Sequence, residues 1–131
     1  MKKKDLINLK SKICVVTGCN GYIGKSVAAK LSSLGAKIIG TDIKYKKNRN
    51  LNTFIKINLE KKSEINFLIE EINKKFKKID ILINNASYVG TSETKANNQK
   101  KTFYNEKFEN VNLSNTIYLT NSLIHLLEKS R

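Results

Sequence analysis

Residues 17–24, reading TGCNGYIG, constrain this chain more than any other stretch, because Gly18, Gly21 and Gly24 join an apolar run directly to an amphipathic one. Ahead of them, residues 12–17 (KICVVT) read as a short buried strand. Behind them, Ile23, Val27, Ala28, Leu31 and Leu34 recur at helical spacing over residues 22–34, and Gly35 supplies a C-terminal stop. A strand that turns through glycine into a helix leaves the helix's first N–H groups facing the turn. Those groups and the helix dipole attract anions, phosphate above all. With no side chains in the way, the turn is tight and its backbone comes close to phosphate oxygens.

The remaining pattern alternates in the same way. Residues 36–41 (AKIIGT) form a second apolar strand ending at Asp42, residues 44–52 a basic polar loop, and residues 53–57 a third strand. Ser63 and Glu64 open a helix whose apolar face runs Ile65, Leu68, Ile69, Ile72 and Phe76, with Lys74–Lys78 at its negative C-terminal pole. Residues 79–83 (IDILI) give a fourth strand, residues 90–101 a polar loop, and residues 103–128, Phe103 to Glu128, a long helix. The order β-α-β-β-α-β-α, with near-continuous apolar strands, predicts an α/β chain with a Rossmann-type parallel sheet, an incomplete doubly wound fold. Residues 1–131 are expected to be one domain without repeat or linker.

Asp42 stands at the end of the second strand, where a carboxylate accepts hydrogen bonds from a dinucleotide's adenosine ribose. A 2′-phosphate is repelled by that carboxylate, so the expected cofactor is NAD, with NADP less favoured; Lys44, Lys46 and Lys47 follow and offset part of the repulsion. The competing triphosphate loop, Gly-x-x-x-x-Gly-Lys-Ser/Thr, has its last three residues in Gly24-Lys25-Ser26 but requires glycine where Cys19 stands.

The net charge of +14 invites a nucleic-acid reading. The lysines are spread along the chain rather than interleaved with aromatics, and Arg49 and Arg131 are the only arginines, so nucleic acid is not the expected partner. No apolar run is long enough to span a membrane, and the basic start MKKKDLINLK has no apolar segment behind it. Two cysteines, Cys14 and Cys19, make no disulfide framework, and a cytoplasmic location is expected. No metal site is expected.

Three motifs in order resemble the short-chain dehydrogenases/reductases: TGCNGYIG, then ILINNAS at residues 81–87, then NVNLSN at residues 110–115. Asn58-Leu59 resembles that family's Asp-hydrophobic pair at adenine. The wording also resembles oxidoreductases of bacterial flagellin or surface-glycan modification. The resemblance runs from about residue 10 onward. It implies NAD(P)-dependent hydride transfer between alcohol and carbonyl, with a small-molecule substrate. It implies cofactor contacts from Gly18, Asn20, Gly21, Tyr22, Ile23 and Gly24 in the loop, then Asp42, Asn58 and Leu59, then Asn85, Ala86 and Ser87. Asn84 would tie strands together, and Asn112 would be the helix asparagine that holds a water in the proton relay, a catalytic role. Gly-x-x-Gly-x-x-Gly spacing departs from the single-domain branch, Ser87 stands for its glycine, and Asn58 stands for its aspartate. An amide oxygen at Asn58 still offers an acceptor to adenine's amino group.

The family's Tyr-x-x-x-Lys is not found: Tyr22, Tyr45, Tyr88, Tyr104 and Tyr118 are followed four residues on by Ser26, Arg49, Ser92, Phe108 and Ser122. A phenol with a pKa near 10 is a poor base at neutral pH without such a cation. The chain therefore reads as the cofactor-binding N-terminal part, truncated before the catalytic segment and inactive alone. Two alternatives stand beside it: a non-catalytic nucleotide-binding remnant, and a basic nucleic-acid-binding domain. The long helix is apolar on more than one face, which predicts a homo-oligomer through it.

Overall fold

The computed structural model describes residues 7–89 and 106–130. Four strands, β1 (Ile13–Thr17), β2 (Lys37–Asp42), β3 (Thr53–Lys56) and β4 (Ile81–Ile83), form one parallel sheet in the order β3-β2-β1-β4. Val15 pairs with Ile39 on one side and Leu82 on the other. Helices α1 (Tyr22–Ser33), α2 (Lys62–Lys75), α3 (Glu106–Glu109) and α4 (Asn115–Leu127) complete the described elements, with a π-helical turn at Asn110–Ser114 between the last two. The α/β order expected from the sequence is the order observed.

Alternation along the strands sorts the core into two layers. Val15, Ile39 and Ile55 pack with Ile65, Leu68 and Ile72 of α2 and Leu119, Leu123 and Leu126 of α4. Cys14, Val16 and Ile38 face the other way, against Ala28 of α1. The join between β2 and β3 contains no helix. Its end is pulled back across the sheet edge by Asn52, whose N–H donates to the Ile38 carbonyl (2.9 Å) while its Oδ1 accepts from the Ile38 N–H (2.7 Å).

Some boundaries move. Helix α2 starts at Lys62 and ends at Lys75; Phe76 is extended, yet still packs on the core. Gly35, with φ +94°, follows the α1 cap at Leu34, where a left-handed residue closes a helix end. The long helix is not uniform: the π turn widens it at Asn110–Ser114, and the Thr116 hydroxyl bonds back to the Val111 carbonyl (2.9 Å). The loop at residues 90–101 and the start of that helix at Phe103 lie outside the described residues. No helix among the described residues is long and apolar enough to cross a membrane.

Candidate functional site

The C-terminal ends of the strands open onto a cleft of ≈ 880 Å³. Gly18, Asn20, Gly21, Tyr22 and Ile23 of the glycine loop line one wall, and Asp42 follows at the end of β2. Asn58 and Leu59 after β3, and Asn85, Ala86 and Ser87 after β4, line the rest. Gly24 and Asn112 do not line it.

Thr17 holds the glycine loop against β4. Its buried hydroxyl accepts from the N–H groups of Asn85 (3.1 Å) and Ala86 (3.0 Å). The Asn85 side chain donates to the carbonyls of Thr17 and Gly18, both at 3.1 Å. The strand-tying asparagine is therefore Asn85, which also lines the cleft as expected, whereas Asn84, the residue expected to make that tie, reaches Thr120 on α4 (3.0 Å). The reason is position: β4 ends at Ile83, and the second residue past it meets the glycine turn.

The three glycines differ in what they do. Gly18 has φ +64°, and a Cβ there would stand 2.8 Å from the Ala86 Cα. A Cβ on Gly24 would stand 2.1 Å from the Gly18 carbonyl oxygen and 2.6 Å from the Asn85 Nδ2. Gly24 thus lets the first turn of α1 close onto the strand and does not itself reach the cleft. Gly21 caps α1 without a side-chain cap, so N–H groups of the first turn remain for an anion.

Asp42 sits between loop and cleft. Its Oδ2 accepts from the Asn20 N–H (2.9 Å) and its Oδ1 from the Ile43 N–H (2.8 Å). A carboxylate offers about four lone-pair directions, so capacity remains for two hydroxyls. Asn58 is more committed than its sequence position implies: its Oδ1 accepts from the Glu60 N–H (2.9 Å), closing a turn ahead of α2. The Asn58 N–H donates to Glu64 Oε2 (2.7 Å), and that bond, then Lys61, holds the Glu64 carboxyl below its usual range. The oxygen expected to meet adenine is thus already in use once.

Asn112 lies in the π turn, and its amide is engaged at both ends. Its Oδ1 accepts from the Tyr88 N–H and its Nδ2 donates to the Tyr88 carbonyl, both at 2.8 Å. It therefore fixes the backbone that follows Ser87. Tyr88, Val89, Lys107 and Val111 also line the cleft and were not singled out from the sequence. Lys107 stands 4.6 Å from the Tyr88 ring centroid and pairs with Glu60 at 3.2 Å. Asn115 was also missed, although the NVNLSN motif contains it; buried, it donates to the Leu59 carbonyl (2.7 Å) and secures the adjoining loop.

The donor set fits a dinucleotide. The first turn of α1 offers N–H groups without a side-chain cap, Asp42 offers acceptors, and exposed Tyr22, Ile23 and Ile43 offer apolar surface. Thr41 also lines the cleft, and its buried hydroxyl has no hydrogen-bond partner among the described residues.

A parallel sheet whose first strand enters a glycine loop, with a carboxylate at the end of the second, defines a dinucleotide-binding Rossmann unit. The sequence profile of the short chain dehydrogenase family matches residues 12–131, and the chain belongs to that family. It is similar to the 3-oxoacyl-(acyl-carrier-protein) reductase FabG of Buchnera aphidicola subsp. Acyrthosiphon pisum, with 32% identity over 132 residues covering 95% of this chain and 53% of the relative. The Escherichia coli (strain K12) FabG is 28% identical, again across 95% of this chain and 53% of the relative. The chain thus spans about half the length of these curated relatives. Among solved structures, Thermoplasma acidophilum aldohexose dehydrogenase has the same fold (TM-score 0.76, 24% identity, 94% of this chain and 47% of that one). So does Pseudomonas aeruginosa RhlG, solved with NADP (TM-score 0.77, 21% identity, 94% and 50%).

Proposed function

We propose that this chain holds a nicotinamide dinucleotide in the cleft, as the cofactor-binding part of an oxidoreductase that moves hydride between an alcohol and a carbonyl. The observation that carries the reading is the placement of Asp42, tied to the glycine loop through Asn20 and open to the cleft beside it. Gly18, Asn20, Gly21, Tyr22 and Ile23 take the pyrophosphate side, and Gly24 shapes that turn from behind. Asp42 takes the adenosine ribose; Ile43, Asn58 and Leu59 take the adenine. Asn85, Ala86 and Ser87 bound the middle of the cofactor, and Asn112 holds the segment after them. When bound, the nicotinamide supplies the hydride chemistry. The reductases among the relatives support a carbonyl substrate. Asp42 alone favours NAD over NADP.

The test is a fluorescence titration of the 131-residue chain with NADH. Binding in the micromolar to low millimolar range is expected, and Asp42→Ala weakens it about tenfold, the loss of about 1.4 kcal/mol. No binding at millimolar NADH would remove the reading. The same chain is expected to turn over no carbonyl substrate, since it contains no Tyr-x-x-x-Lys.

Two further readings accompany this one. Phe108, Leu113, Ile117 and Ile124 are about half exposed along the last helical stretch, which supports self-association through that surface. A monodisperse monomer in light scattering would count against it. The buried, free thiols of Cys14 and Cys19 are compatible with a reducing cytoplasm.

A further inference from the structure

We propose that a second pocket, of ≈ 520 Å³ between the carboxyl ends of α2 and α4, binds a compact anion that carries at least two phosphate or carboxylate groups. The pocket shares no lining residue with the dinucleotide cleft and does not depend on what that cleft holds.

The two helix ends and the turn that follows α2 build it. Phe76 and Leu126, both packed on the core, supply its apolar lining. The Ile79 N–H donates to the Leu126 carbonyl (3.2 Å), which fixes the turn against α4. On the polar side, the His125 Nε2 donates to Asn73 Oδ1 (2.8 Å), and the Asn73 amide donates to the Ile69 carbonyl one turn back (3.0 Å). The imidazole is thereby held at the pocket wall.

The remaining lining is cationic: Lys74, Lys75, Lys77 and Lys129, with no carboxylate among them. Glu71, outside the lining, pairs with Lys75 (2.6 Å) and Lys74 (3.8 Å). Lys77 and Lys129 make no ion pair among the described residues, whereas the neighbouring Lys78 is committed to the buried Asp80 (3.1 Å). Capping two helix ends accounts for only part of this charge. Each end carries about half a negative charge, so the two ends and Glu71 offset about two of the four ammoniums. A concave surface with positive charge to spare concentrates anions. The volume suits a small molecule, and the one aromatic ring in the lining, Phe76, is packed on the core rather than offered for base stacking. Ammoniums act as point charges, so the number of negative groups, and not their planar shape, governs the choice.

His125 is the only histidine in the chain, so its imidazole proton resonance reports on this pocket separately from any anion at the glycine loop. The 131-residue chain is titrated with pyrophosphate and, separately, with citrate, at fixed pH and low salt, with sodium chloride at matched ionic strength as the blank. At least one of the two should give a saturable shift with a dissociation constant of about 1 mM or tighter. Saturation by both shows that charge alone selects; saturation by one supports the site and names its ligand's charged group. Lys77→Ala with Lys129→Ala should weaken binding at least about fivefold, while Lys37→Ala with Lys47→Ala, equal in lost charge, should change it less than about twofold. All four side chains are exposed, so both variants should fold. No saturable shift with either anion overturns the inference, as does an equal loss in the two variants. So does a DNA duplex that saturates the shift at a lower phosphate concentration than pyrophosphate, which would make this patch a nucleic-acid surface.

Discussion

The two ends of the sheet solve the same problem in opposite ways. Each must satisfy buried polar groups where strands stop. At the carboxyl end, where β1 meets β4, the groups are neutral: the Thr17 hydroxyl accepts from the Asn85 and Ala86 N–H groups, the Asn85 side chain donates to the Thr17 carbonyl, and an open cleft lies in front of them with Asp42 at its edge. At the amino end, one buried carboxylate does the work. Asp80 accepts from the Ile13 N–H (2.8 Å), the Lys12 and Lys78 ammoniums (3.1 Å each) and the Ser130 hydroxyl. That end joins the start of β1, the approach to β4 and the residues after α4 in one charged knot, with Asp80 only 2% exposed. The difference separates tasks. A knot of charge is closed and contributes stability. The neutral knot instead leaves an open cleft in front of it, with the uncapped first turn of α1 in its wall.

The sharpest way to break this comparison is at Gly24. A methyl group there meets the Gly18 carbonyl oxygen, a backbone atom, at 2.1 Å, and a Cβ has no rotamer by which to move away. Gly24→Ala should cost about 3 kcal/mol or more and abolish NADH binding. Urea unfolding and NADH titration check both. A stable variant that binds normally would show that loop closure does not matter to the site.

Removal of Asp80 should be the next largest effect and should spare the cleft. Burial alone would raise its pKa, but Ser130, the Ile13 N–H, Lys12 and Lys78 overcome that and hold it well below the usual carboxylate range. A depressed folded-state pKa means stability that is full above the unfolded value of about 3.9 and lost as pH falls below it. The unaltered chain should therefore lose stability steeply below about pH 4, and Asp80→Ala should flatten that limb. The variant should be about 3 kcal/mol less stable at neutral pH, with NADH affinity unchanged while folded. A change in NADH affinity would mean the two ends are coupled.

Thr17→Val tests the neutral knot. It keeps the shape and removes the acceptor for two amides, those of Asn85 and Ala86. A loss of about 2 kcal/mol is expected, with several-fold weaker NADH binding, because the displaced backbone lines the cleft. Stability lost with NADH affinity intact would make Thr17 structural only.

These two ends also differ in how far the sequence reveals them. Strands, helices and layer alternation follow from apolar periodicity, and the glycine loop announces its own turn. The carboxyl end of the sheet was legible because its motifs are local. Its internal wiring was not: nothing in NNAS says which asparagine meets Thr17, since that depends on where β4 ends. Asn58 looked free to meet adenine because its Asx turn with Glu60 is a matter of backbone conformation. Lys107 and Asn115 reach the site across a sequence separation that no short pattern spans. Asp80 passed unnoticed inside IDILI, where a lone acid looks like a strand-edge residue; its partners Lys12 and Ser130 come from distant segments.

The smallest expected effect uses the two cysteines as reporters, one per carboxylate. Burial, then the Asp80 carboxylate, pushes the Cys14 thiol up to about 11. Burial, then Asp42, pushes Cys19 up to about 12, its own backbone N–H opposing slightly. Raised folded-state values leave both thiols protonated at neutral pH. Their stabilising contribution is intact below the unfolded value of about 8.5 and is lost as pH climbs from there towards those values. Since burial dominates, each carboxylate accounts for only the lesser part of its shift. Asp80→Asn should therefore lower the Cys14 pKa modestly and leave Cys19 alone, and Asp42→Asn should do the reverse. The Cβ chemical shifts of isotope-labelled cysteines, followed against pH in single Cys→Ser variants, read each thiol separately. If either substitution moves both thiols equally, the ends of the sheet are not electrostatically separate, and the division between a stabilising knot and a ligand-facing one fails at its most direct test.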